Sequence, residues 1–420
     1  MKKLTETWNS SKEHGSSIVA SVADSVMSSG SNLVLTVAVA RSVPRSTFGA
    51  FALAFAAYLI ILGVSRGLST DALLVRAPLL TESGEWSSAA SKALGTSVLN
   101  GVWSGVSIVA LGFFIERHFL DMYAAVGIAM PFALLQDAWR FIHFSQRRPR
   151  RALANDSVWT LTTILALILI ALFSRLNAVY AIFAWAGGAL IACFFGYFQT
   201  KLMPATSKAI RWVCENKDLS PYYVGEALLG GGSLQASLYL VGIIGGLNAA
   251  GAVKGGQTLV GPFTTLVVGV YAFSLPWFVS QVAKSKKSLI RPSLVLSVII
   301  SVLALLWGSL LPLIPDSIGV HLLGATWSTT RPLIVPATCW TIALSMAIGP
   351  QSALRARSKV RQSVLIRFIA APVLIAAASF GSAINGGIGA MWGLAGGQLV
   401  SGVLWIIFCI QIEGKEQVWK

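Results

Sequence analysis

Runs of roughly twenty apolar residues, the length a helix needs to cross a hydrocarbon core of ~30 Å, recur along the whole chain. The first set falls at about 18–40, 49–68, 89–115, 122–144, 154–174 and 177–199. The second falls at about 222–247, 253–281, 292–314, 329–354, 363–381 and 385–411. The longest polar interruption, from about Thr200 to Pro221, carries charges of both signs and separates the two sets. The pattern predicts an all-α polytopic membrane protein of about 12 transmembrane helices in two six-helix lobes. It assigns residues 1–200 to an N-terminal lobe, 201–221 to a cytoplasmic connection and 222–420 to a C-terminal lobe.

Polar residues inside these runs are not scattered. Ser21, Asp24, Ser25, Ser28 and Asn32 are spaced to share one stripe of the first helix. A carboxylate at bilayer depth is costly unless it faces a bundle interior or a watery cavity, so the stripe is a candidate functional site. The second set echoes the first. Glu226, Gly230, Ser233 and Ser237 fall at the same kind of spacing, and the run Gln146-Arg-Arg-Pro-Arg-Arg151 is answered by Arg355-Ala-Arg-Ser-Lys-Val-Arg361. Internal duplication is a common design in transporters, with the substrate path between the repeats.

Composition agrees: 55% of the 420 residues are hydrophobic, 11% are charged, and the mean hydropathy is +0.72. Soluble domains are nearer a quarter charged. The net charge of +16 reflects topology rather than a nucleic-acid partner. With the N-terminus inside, the cytoplasmic segments hold Lys2, Lys3, Lys12, Arg76, Arg147, Arg148, Arg150, Arg151, Lys201, Lys208, Arg211 and Lys217. They also hold Lys284, Lys286, Lys287, Arg291, Arg355, Arg357, Lys359, Arg361, Lys415 and Lys420. The opposite side has only Arg41, Arg45, Arg117, Arg175, Lys254 and Arg331. This bias predicts that both termini are cytoplasmic. A polar N-terminal stretch followed by many spans is expected to be uncleaved. Cys193, Cys214, Cys339 and Cys409 have no CxxC spacing, and neither disulfides nor a metal site are expected.

Several chemistries find no motif. There is no GxxxxGK[ST] to cradle nucleotide phosphates and no HExxH, and His14, His118, His143 and His321 are scattered. A membrane sugar transferase or polymerase needs outer acids or histidines to activate a donor. The short outer connections offer little beyond Glu116 with Asp121, and Asp316 near His321. No cofactor is expected.

The remaining ionisable residues each have two readings. Asp24 either binds cargo or a cation, or is satisfied by neighbouring hydroxyls or a lysine. Glu226 either acts in its lobe or caps its helix. Arg66, Asp71 and Arg76 suit an anion entering from the cytoplasm, although Arg66 could equally reach headgroups. Asp137 and Arg140 are three apart and within reach of each other, while Gln136, Arg140 and His143 share a strip. Asp156, Trp159, Thr160 and Thr163 form another strip, with Asp156 alternatively a helix-start residue. Lys254 and Gln257 open the eighth span as a candidate anion contact. The basic run 147–151 reads first as a topology signal and second as a headgroup contact. Gly230–Ser233, Gly245-Gly246 and Gly386-Gly387 allow close packing or bending. Pro262, Pro276, Pro336 and Pro372 predict kinked helices.

Four stretches carry a resemblance: Ala23-Asp-Ser-Val-Met-Ser-Ser-Gly-Ser-Asn32; Ala40-Arg41 through Phe48-Gly-Ala-Phe51; Gln136-Asp137 through Arg140 to Asp156 and Trp159; and Gly255-Gly-Gln-Thr-Leu-Val-Gly-Pro262. They resemble the O-antigen and capsule type polysaccharide flippases of the multidrug, oligosaccharidyl-lipid and polysaccharide exporter superfamily. The two extra spans of peptidoglycan-precursor flippases are not evident. The resemblance implies paired lobes in a V, alternating access, and a polyprenyl-pyrophosphate-linked oligosaccharide moved to the outer face of the cell membrane for surface polysaccharide biosynthesis. It also implies a polysaccharide polymerase and glycosyltransferases as partners. Asp24, Ser28, Asn32, Arg41, Arg66, Arg140, Asp156, Lys254 and Gln257 are then the expected translocation residues, in contact with cargo, membrane lipids or a coupling cation. A drug or small-solute antiporter of the same superfamily is the alternative, and a membrane-embedded transferase a third.

Overall fold

The computed structural model describes residues 23–24, 27–80, 83–115, 117–284, 288–357 and 359–418. Ser21 and Ser25 of the predicted stripe lie outside the described residues, as do Lys2, Lys3, Lys12, His14, Glu116, Lys286, Lys287 and Lys420. All regular structure among the described residues is helical. Helix α1 covers 23–24 and 27–42. It is followed by α2 (Arg45–Leu68), α3 (Thr70–Arg76), α4 (Ser83–Ile115), α5 (Leu120–Ser145), α6 (Pro149–Phe173) and α7 (Ala178–Thr200). Then come α8 (Ala209–Glu215), α9 (Ser220–Ala227), α10 (Ser233–Lys284), α11 (Ile290–Leu310), α12 (Asp316–Leu323), α13 (Trp327–Thr330), α14 (Ile334–Met346), α15 (Ile348–Ala356) and α16 (Val360–Val418).

Eight helical stretches are long and apolar enough to cross a membrane, and large side chains such as Phe173 and Leu172 are exposed on them. Two of these stretches, Ser220–Tyr271 and Arg361–Glu413, span 52 and 53 residues, far more than one crossing needs. Each contains a break: Gly246 (φ 80°) in α10, and Asn385 with Gly386 (φ 49°) in α16. Across the second break Gly381 faces Gly389, Gly393 faces Ala377 and Gly397 faces Leu374, which is the pairing of an antiparallel hairpin. Left-handed glycine makes the turn without a loop. The sequence pattern places connections at 248–252 and 382–384, and both stretches are helical instead.

Contacts divide the chain into two compact units. One contains the described residues up to Ala38 together with Ala57–Ala227; the other contains Val39–Ala56 and the chain from Leu228 onward. Helix α2 changes unit midway.

In the first unit a core of Leu73, Leu94, Trp139, Ile142 and Trp212 closes one end of the bundle. Glycines set the helix spacings. A side chain at Gly105 would meet the backbone of Gly127, and one at Gly196 would meet the Trp139 ring. The polar stretch after α7 folds onto this unit. Ala205 N donates to Ser91 O at 2.8 Å, and Trp212 Nε1 donates to Ser69 O at 3.0 Å.

In the second unit, Phe278, Leu354, Ile366 and Trp405 form one core, and Phe263, Val267, Ile300 and Ala304 form another. Gly349 lies against the Ser293 backbone and Gly308 against Thr338. Glu413 accepts from Arg357 Nε at 2.9 Å and from Leu289 N at 2.7 Å, tying the ends of three helices together. Pro336 sits in the first turn of α14, where its missing N–H removes no bond within that helix. Pro372 is inside α16, and Pro131, which the sequence reading passed over, is inside α5.

Candidate functional site

Helices α5 and α6 are joined by the tight turn at 146–148, and Pro149 starts α6 with the φ a first helical turn requires. Arg140 on α5 and Asp156 on α6 are each about two turns from this connection, roughly 9 to 12 Å along the helices. Their side chains meet there with Asp24 from α1. Arg140 Nε donates to Asp24 Oδ2 at 2.6 Å and stands 3.5 Å from Asp156 Oδ2, while Nη1 reaches Ser28 Oγ at 3.4 Å. Gln136, one turn earlier on α5, donates from Nε2 to Asp156 Oδ1 at 2.6 Å and to Asn155 Oδ1 at 3.1 Å. Asn155 Nδ2 in turn donates to the Ala192 carbonyl on α7 at 2.9 Å.

Asp24 is 0% exposed and Asp156 is 1% exposed. Charges buried this deeply persist only when paired and hydrogen-bonded. One oxygen of each carboxylate, Asp24 Oδ1 and Asp156 Oδ2, is buried with no hydrogen-bond partner among the described residues.

A second ion pair lies on the same helix. Arg66, from the end of α2, makes a two-pronged contact to Asp137, with Nε to Oδ2 at 2.7 Å and Nη2 to Oδ1 at 2.5 Å. Its guanidinium stacks over Phe141 at 4.9 Å, and Arg140 stacks over Phe144 at 5.6 Å. The spacing of 137, 140, 141 and 144 makes this possible, because residues three and four apart are neighbours on a helix. The two paired groups together contain three carboxylates and two guanidiniums.

The structure corrects several expectations. Asp137 and Arg140 each take a partner on another helix, Arg66 and Asp24 respectively. Among the described residues Asp24 is held by an arginine. Asp156 is two turns inside α6, so it is not a helix-start residue. Arg66 and Arg76 are paired with Asp137 and Asp218 respectively. The π-helical turn Leu228–Gly232 alters the winding between Glu226 and Ser233, and the face that mirrored the Asp24 stripe is broken.

Of the expected translocation residues, Asp24, Ser28, Arg140 and Asp156 converge, and Arg66 joins them through Asp137. Asn32 is a turn further along α1, with its Oδ1 buried and without a hydrogen-bond partner among the described residues. Arg41 is exposed at the end of α1, in the second unit. Lys254 and Gln257 belong to the second unit. Lys254 is half-buried, two turns past the Gly246 break in α10, with Nζ over the Phe55 ring at 5.0 Å and no carboxylate partner among the described residues. Gln257 Nε2 is buried and has no hydrogen-bond partner there either. Gly255 and Gly256 bring Thr330 and Leu333 close to this part of the helix.

Asn155 and Tyr58 were not singled out in the sequence. The adjacent amides and acids at 155–156 and 136–137, on helices joined by a short turn, were the available signal for Asn155. Tyr58 lies edge-on to Trp185 at 5.0 Å, a tertiary contact with no local signature.

The chain is similar to an inward-facing multidrug resistance MATE family transporter of the MOP superfamily. The TM-score is 0.71 at 10% identity, covering 95% of this chain and 98% of that one. An outward-facing form of such a transporter gives 0.61 at 10% identity, covering 95% and 96%. A MOP superfamily transporter from Pyrococcus furiosus, described by a binding pocket of reversed polarity that suggests a different function, gives 0.54 at 12% identity, covering 95% of each chain. No protein-family model matches the chain, and no curated protein sequence does. This polytopic membrane protein has the fold of the MATE-type transporters of the MOP superfamily.

Proposed function

We propose that the protein is a flippase that carries a polyprenyl-pyrophosphate-linked oligosaccharide from the cytoplasmic to the outer face of the cell membrane by alternating access. Sugar hydroxyls and phosphates lose water in hydrocarbon, so the carrier supplies polar and cationic groups while the lipid tail stays in the bilayer. The observation that carries this reading is Lys254, a half-buried cation in the second unit with no carboxylate partner among the described residues. An anionic cargo group supplies the missing charge, and Gln257 Nε2 adds a donor.

The first unit plays a different part. Among its paired groups, Asp24, Asp137 and Asp156 with Arg66 and Arg140 leave one negative charge, which one proton or one monovalent cation cancels. Asp24 Oδ1 and Asp156 Oδ2 are the oxygens available for it. A charge that crosses the membrane field exchanges about 2.3 kcal/mol per 100 mV, enough to bias two arrangements of a carrier. The same negative balance favours the second reading, an antiporter for cationic small molecules, in which the cation at these oxygens is exchanged for a drug.

Depletion of the protein from its own cells separates the two. The flippase reading predicts that lipid-linked glycan accumulates on the cytoplasmic face and surface polysaccharide falls, with unchanged tolerance of cationic toxins. Loss of toxin tolerance with normal surface glycan would establish the antiporter instead.

A further inference from the structure

Among the described residues, Arg147 (φ 56°) and Lys201 (φ 59°) are the non-glycine positions in left-handed backbone. This conformation crowds Cβ against the carbonyl, and helix ends that need it normally use glycine. Both positions end a helix of the first unit, and both carry a cation. Arg147 N donates to Phe144 O at 2.9 Å at the end of α5, and Lys201 N donates to Tyr197 O at 2.7 Å at the end of α7.

Gln199 joins the two ends. Its Oε1 is 2.8 Å from His143 Nε2, its Nε2 donates to Arg151 O at 3.2 Å, and its carbonyl accepts from Arg151 Nη1 at 3.1 Å. Arg147, Arg148, Arg150, Arg151 and Lys201 are all exposed, and none is in an ion pair among the described residues. Five cations are thus held on one edge with no acid among them.

An apolar surface continues from this edge. Lys201 Nζ lies over the Phe198 ring at 4.8 Å, and Phe198 and Phe194, one turn apart on α7, are 63% and 59% exposed. A topology signal needs only charge on a loop. It does not need a clamped turn with side chains in strained backbone beside exposed rings.

We propose that this edge binds the phosphate headgroup of an anionic membrane phospholipid, with Phe194 and Phe198 against its acyl chains. Headgroup phosphates beside a hydrocarbon surface match the cations in charge and the rings in polarity. The proposal does not depend on which cargo the protein carries.

The test uses glycine at the two left-handed positions, which removes charge while relaxing the backbone. The purified full chain in neutral detergent is titrated with phosphatidylglycerol or phosphatidylcholine, and thermal unfolding is followed. Phosphatidylglycerol is expected to raise the unfolding temperature and phosphatidylcholine is not. The Arg147→Gly/Lys201→Gly variant is expected to unfold, without lipid, at the same or a higher temperature. Its apparent affinity for phosphatidylglycerol should fall roughly thirtyfold, about fivefold for each basic residue lost. Equal stabilisation by phosphatidylcholine, or an undiminished phosphatidylglycerol effect in the variant, would overturn the proposal. So would displacement of phosphatidylglycerol by inorganic phosphate or a prenyl diphosphate at lower concentration, which would assign the cations to a free phosphate or to cargo.

Discussion

Arg140 on α5 donates to Asp24 on α1 at 2.6 Å while standing 3.5 Å from Asp156 on α6, so one guanidinium serves two buried carboxylates. Removing the guanidinium leaves like charges facing each other. Arg140→Gln is therefore expected to cost about 3–5 kcal/mol of stability, read as a loss of folded protein in a membrane thermal-shift assay. Asp24→Asn keeps Arg140 paired with Asp156 and is expected to stay folded while losing transport. Adding Asp24→Asn to Arg140→Gln should recover stability without recovering transport.

Arg66 meets Asp137 through two parallel donors, which an ammonium cannot reproduce. Arg66→Lys is expected to keep the charge but lower the initial transport rate by about tenfold, the size of one lost hydrogen bond to a charged group. A rate equal to that of the unaltered protein would show that Arg66 contributes charge alone.

Close helix contacts in the second unit depend on missing side chains. A methyl at Gly349 would run into the Ser293 carbonyl, whereas one at Gly396 meets nothing within 4 Å. Gly349→Ala is expected to destabilise by about 1–3 kcal/mol through overpacking. Gly396→Ala is expected to be neutral or slightly stabilising, as alanine favours helix over glycine. Thermal unfolding of the two variants in parallel provides the comparison.

The stretch after α7 is held to α4 by Lys92 Nζ, 2.7 Å from Glu215 Oε2, while Arg211 Nε, 2.8 Å from Glu215 Oε1 within α8, adds a second donor to the carboxylate. The Lys92 hydrogen bond, with help from Arg211, holds the Glu215 carboxyl below its ordinary value. A lowered folded pKa stabilises at neutral pH, and that contribution is lost as pH falls through the folded value. Lys92→Met moves that value upward. Protease cleavage near α8 is therefore expected to begin at a higher pH in Lys92→Met than in the unaltered protein. An unchanged onset would remove Glu215 from this anchoring.

The spans were legible because twenty apolar residues in a row have few other fates, and α6 and α7 begin and end within a few residues of the sequence pattern. Polar stripes likewise marked Asp24 and Asp156 as buried. The partners were not legible: helical spacing pointed Arg140 at Asp137, while packing turned them toward Asp24 and Arg66. Which helix faces which is decided by glycine contacts such as Gly188 against Trp159 and Thr163, and no local spacing encodes those. The breaks at Gly246 and Gly386 were legible to within a few residues, from the interruptions at 248–252 and 382–384 and from the Gly245-Gly246 and Gly386-Gly387 pairs; that a single positive-φ glycine replaces a loop was not.

The central claim is that these buried charges serve the passage of an anionic, lipid-linked glycan. Its most direct test is a vesicle assay in which purified protein is reconstituted with a polyprenyl-diphosphate-linked oligosaccharide and glycan reaching the far leaflet is measured under an imposed ion gradient. The account predicts gradient-dependent translocation that is abolished in Asp24→Asn and strongly reduced in Lys254→Met. Vesicles that move cationic dyes but leave the glycan on its original face would contradict it.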